Sequence, residues 1–192
     1  MKELLFRAKN RLQPVWIEAI AIELNVPAPA VFRAMLGWIA TCLYAYSTLS
    51  EEDLLKLAAH FPITPFQSDP KISTRLLGHD VSAHTHAMAG FASIQPMAAR
   101  RLLDLAAPFT LQLLLEYRQH LSNIRPFLNI EKQVFLPLIP APIAAILGIN
   151  IPEKSVEKLS SSDFTVWLKS LLLLLAFALV LMLLSRHFSP FF

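Results

Sequence analysis

The sequence predicts an all-α protein, a multi-helical domain followed by one C-terminal transmembrane helix. Three observations carry this expectation. Apolar residues recur at three- and four-residue spacing through the first 150 residues, and alternating β-branched runs bounded by turns do not occur. Prolines punctuate the helical stretches instead of falling inside them, with few exceptions. The run SLLLLLAFALVLMLL at 170–184 carries no charge.

The elements are expected in this chain order. A first helical region covers 2–24, with Pro14 either at a break or at the first turn of a second helix. NVPAP at 25–29 is punctuation, and a long apolar helix is expected over 30–47. Ser50 caps a helix over 51–60, with Asp53 in a capping-box position. Residues 60–74 contain Pro62, Pro65 and Pro70 and read as a loop. Asp80 is placed as the N-cap of a helix reaching 92, and Pro96 opens another over 96–120. Shorter helices are expected over 130–138 and 140–147, the last stopped at Gly148.

Residues 1–149 thus form one helical domain, 150–163 a polar linker with Pro152 and Ser160–Ser162, 164–186 the membrane helix and 187–192 a short tail. A weak internal repeat lies within the domain. VPAPAVFRAMLGWIATCL at 26–43 aligns with IQPMAARRLLDLAAPFTL at 94–111, an offset of 68 residues, matching Ala30 with Ala98, Arg33 with Arg101 and Leu43 with Leu111. Two similar helical halves explain the match, and so does chance similarity between apolar helices.

The tail is the most specific feature. A bilayer core about 30 Å thick needs about 20 helical residues. From Phe164 to Leu184 only Lys169 is charged, near the end, where its stem can lie along the helix while the ammonium reaches headgroups. Trp167 suits the same interface, and Arg186 closes the far side. The unbroken apolar run from Leu171 leaves no polar stripe, which a helix at a domain surface would need. Lys154, Lys158 and Lys169 precede the span and only Arg186 follows closely, so the positive-inside rule places the domain in the cytoplasm. The first twelve residues are basic, but the apolar stretch after them is broken by Glu18 and Glu23, so no signal-peptide core is expected.

Composition limits the chemistry. The four glycines, Gly37, Gly78, Gly90 and Gly148, are far apart, so neither a phosphate-binding loop nor a dinucleotide fingerprint can be written. The lone cysteine, Cys42, forms no internal disulfide and no multi-cysteine metal site, and it lies in an apolar run as a small buried hydrophobe. A net charge of +3 is too diffuse to imply nucleic acid. No cofactor is expected.

The best polar cluster is His79, Asp80, His84 and His86. Asp80 and His84 are one turn apart on a helix face, and imidazole with carboxylate suits a divalent metal. The bland reading is that Asp80 caps the helix and the histidines are solvated. Glu51, Glu52 and Asp53 complement a helix dipole rather than forming an acid–base pair. Arg100, Arg101 and Asp104 read as an exposed ion-pair set. Lys2, Arg7, Lys9 and Arg11 alternate with leucines, which fits either an anionic lipid surface or an ordinary first helix packing Leu5 and Leu12 inward.

Three stretches resemble the YidB-like bacterial family of unknown function, domain-of-unknown-function number 937. They are LLGHDV at 76–81 leading to GFASI at 90–94, AARRLLDLAAPFTLQ at 98–112, and FLNIEKQVFLPLIPAPIAAILG at 127–148. The tail at 167–186 is similar to the tryptophan, leucine-rich span and basic residue that end many members. The family is usually richer in glycine and serine, and some members continue into a peptidoglycan-binding domain with no counterpart in these residues. The resemblance implies a bacterial inner-membrane protein and carries over no catalytic residues. The expectation is therefore a non-enzymatic scaffold or adaptor whose partners are the bilayer and another protein or a second copy. A DNA-tethering helical module and a metal-dependent activity at the histidine cluster are the alternatives, with nucleic acid the less favoured partner.

Overall fold

The computed structural model describes residues 3–60, 68–118 and 124–150, so the expected linker and transmembrane helix lie outside the described residues. The chain divides between Ile151 and Pro152, and all the described helices belong to the first unit. Among the described residues there are nine α-helices, two short 3-10 turns and no strand.

The N-terminal region breaks at Pro14, as its chemistry suggests. Helix α1 (Glu3–Arg11) buries Leu4, Leu5 and Ala8, with Leu12 just beyond its end. Helix α2 (Pro14–Leu24) has proline at its first turn, where the missing N–H costs nothing. It stops at Asn25, which takes the left-handed conformation (φ 52°) and lets the Val26 amide donate back to the Ala21 carbonyl at 2.9 Å. Pro27 then caps α3 (Ala28–Thr48), its carbonyl accepting the amides of Ala30 and Val31.

Helix α4 (Glu51–His60) begins with the expected capping box: the Asp53 amide donates to Ser50 Oγ at 3.0 Å and the Ser50 hydroxyl donates to Asp53 Oδ2 at 2.5 Å. The expected loop over 60–74 needs correction. Pro70 opens α5 (Pro70–Leu77), with the Asp69 carboxylate accepting the Lys71 amide at 2.8 Å. A proline at a helix's first turn has the same local signature as a proline in a loop. The positive φ of Gly78 (69°) ends α5, and a 3-10 turn (Gly78–Asp80) leads into α6 (Val81–Ala92).

Helix α6 ends as α2 does. Ser93 is left-handed (φ 57°), and the Ile94 amide donates to the Ala89 carbonyl at 3.0 Å before α7 (Pro96–Arg118) begins. Asn25 and Ser93, Val26 and Ile94, Ala21 and Ala89, and the first residues of α3 and α7 are all separated by the same 68 positions as the sequence match. The helix-turn-helix geometry therefore occurs twice.

The last helices differ slightly from expectation. Helix α8 (Ile124–Phe135) starts six residues early, a 3-10 turn (Leu136–Leu138) comes next, and α9 (Ala141–Ile146) is shorter by about a residue at each end. Pro140 caps α9 as Pro27 caps α3, and Gly148 (φ 65°) terminates the segment with the Ile149 amide on the Ala144 carbonyl.

Helices α3 and α7 form the centre and pack most extensively on each other. They are parallel. Trp38 Nε1 donates to the Ala99 carbonyl and Tyr46 Oη to the Ala107 carbonyl, both at 2.9 Å, so eight residues on one helix match eight on the other. Around them α2 and α8 lie on α3, α5 and α6 on α7, and α9 on α6. Gly37 allows the closest approach, since a Cβ there would sit 2.9 Å from Met88 Cε and 3.2 Å from Pro140 Cγ. Helix α3 is also long and apolar enough to cross a bilayer by length and composition. Its burial and its two side-chain bonds to α7 make it the core helix of this unit.

Candidate functional site

The short turn before α6 and the first turns of α6 itself position the histidine cluster. His84 faces inward at 3% exposure, its Nδ1 2.8 Å from the Asp80 carbonyl. His86, two residues on and therefore about 200° around the helix, is exposed with its Nδ1 2.8 Å from the Ser82 carbonyl. Asp80 touches His84 through its backbone and makes no side-chain capping bond. Two sequence readings are corrected here. His84 is not solvated, and the Asp80 carboxylate does not cap α6. His79 has its backbone in the 3-10 turn, and its side chain lies outside what is described. Among the described residues no three His, Cys, Asp or Glu side chains converge as metal ligands.

In both described histidines the Nδ1 that faces a carbonyl four residues back donates to it, so Nε2 is the ring nitrogen left to other partners. In His84 that Nε2 is buried without a hydrogen-bond partner. Sequence spacing could not show this, because the direction of α6 relative to the core depends on the helices packed against it.

The Arg100–Asp104 pair is a buried tie rather than an exposed ion pair. Asp104 is buried, and its carboxylate receives the Ser73 hydroxyl and Arg100 Nε, the latter at 3.1 Å to Oδ1. The Arg100 guanidinium also reaches Ser73 Oγ at 3.2 Å and Thr74 Oγ1 at 3.1 Å. Arg101 points elsewhere, donating to Ser68 Oγ at 2.7 Å and to Glu23 Oε1 at 3.4 Å. Both guanidiniums at the start of α7 thus bond to the protein's own groups.

The basic first helix docks through its cations. Arg11 holds Glu116 in a two-point bridge at 2.8 and 2.6 Å, and hydrogen bonding to that carboxylate raises the guanidinium pKa above its ordinary value. The Arg7 guanidinium lies 4.8 Å from the Tyr117 ring centroid, and that ring stacks on Phe127 at 5.1 Å. These contacts fit the ordinary first helix better than a lipid-facing one. Glu52 pairs with Lys56 at 2.6 Å along α4, and Asp53 serves the cap. Cys42 is fully buried, and burial drives its thiol pKa up, away from reactivity.

The feature that composition did not signal is an apolar outer face on α2. Val15 is 75% and Ile22 82% exposed, and seven residues separate them, which places them on one face of the helix. Met97, at the start of α7, is 84% exposed. The Arg101–Glu23 contact, at 3.4 Å, links the second turn of α7 to the end of α2. The sequence marks α2 as apolar apart from Glu18 and Glu23, without saying which side the core would use. Compared with family models, curated proteins and solved structures, the chain matches none.

Proposed function

We propose that this chain is a non-enzymatic scaffold or adaptor held at a bacterial inner membrane by residues 164–186, with its helical domain on the cytoplasmic side. The observation that carries the reading is the charge-free run from Ser170 to Leu184, flanked by Trp167 and Lys169 before it and Arg186 after it. The YidB-like resemblance at 76–94, 98–112 and 127–148 belongs to the same reading, as does the division of the domain into two alike halves. The repeated turn at Asn25 and Ser93 supports the second of these. What favours an adaptor over an enzyme is the use made of the polar side chains. The Ser50 box, the Arg100–Asp104 tie and the Arg11–Glu116 bridge all join one helix to another or end one.

Fractionation of cells making the full chain tests the anchor. The chain should stay with membranes after alkaline carbonate washing. Leu175→Arg with Leu179→Arg should release it, because each arginine at the centre of a span costs about 2.5–3.5 kcal/mol on insertion scales. Release of the parent chain by carbonate would end the anchored reading. Orientation is read by labelling a cysteine placed at Ser189, which should be reachable only from the outer side.

A further inference from the structure

We draw no further inference here: the strongest candidate, the exposed apolar patch of Val15 and Ile22 on the outer face of α2, carries none, because nothing among the described residues shows what covers it.

Discussion

The backbone amide of Asp69 donates to the carbonyl of Asp104 at 2.9 Å, and that carbonyl is the one on α7 that Pro108 leaves without a helical donor. A proline inside a helix removes the bond to the residue four before it. Here the vacancy is filled from the chain leading into α5, which fixes where that helix begins. Pro108→Ala would return a competing amide. Hydrogen exchange at the Asp69 amide should then quicken at least tenfold, and unchanged protection would show that the two are not linked.

The Asp104 side chain completes the same tie. Asp104→Ala removes the acceptor of Ser73 and Arg100 while leaving the backbone bond. A loss of about 2–3 kcal/mol is expected in urea unfolding, as for other buried charge-assisted bonds. Asp104→Asn, which can still accept from Ser73, should lose less.

The two side-chain bonds between α3 and α7 should contribute separately. Tyr46→Phe removes one hydroxyl from the Ala107 carbonyl and should cost about 1 kcal/mol. Trp38→Phe loses both a bond to Ala99 and ring volume and should cost about 2–4 kcal/mol. The sites are roughly 12 Å apart along α3, so the double variant should be additive within about 0.5 kcal/mol. Strong non-additivity would mean that the helices are not held as two independent contacts.

Gly37 sets how near α9 comes to α3. In Gly37→Ala the new methyl meets the flexible end of Met88 at 2.9 Å and the edge of the Pro140 ring at 3.2 Å, and better helix propensity offsets about 1 kcal/mol of the strain. Stability should change little. Gly37→Val adds two further methyls against Met88 and the Pro140 ring and should cost about 1–3 kcal/mol, with faster exchange at the Ile149 amide.

Alkaline pH should loosen the core at Cys42 and Tyr46. Burial raises both pKa values above their ordinary 9.0 and 10.0. The folded chain therefore keeps protons that the unfolded chain releases, so this contribution is intact below about pH 9 and declines as pH rises. Each group adds a slope of up to ~1.4 kcal/mol per pH unit. Urea midpoints should be level from pH 7 to 8.5 and fall above 9, and Cys42→Ala should make the fall shallower.

What the sequence determined by itself was local. Helix spacing, the Ser50 box, proline at the start of α2 and α7, and Gly148 at the end of α9 each act within a few residues, and the structure has them where the spacing places them. The uncharged run at 170–184 is equally local, and it is the basis of the anchor proposal. Tertiary structure decided which side of each helix meets another. His84 turns inward and His86 outward because α6 has α7, α9 and α3 on one side only. Pro70 begins a helix because Asp69 finds the carbonyl that Pro108 freed, 35 residues along the chain. The same packing leaves Val15 and Ile22 outside, since the core takes Ile17, Ile20 and Ala21 of the same helix. Periodicity reports that a helix has an apolar face. Only the neighbours determine whether that face is buried or offered to a partner.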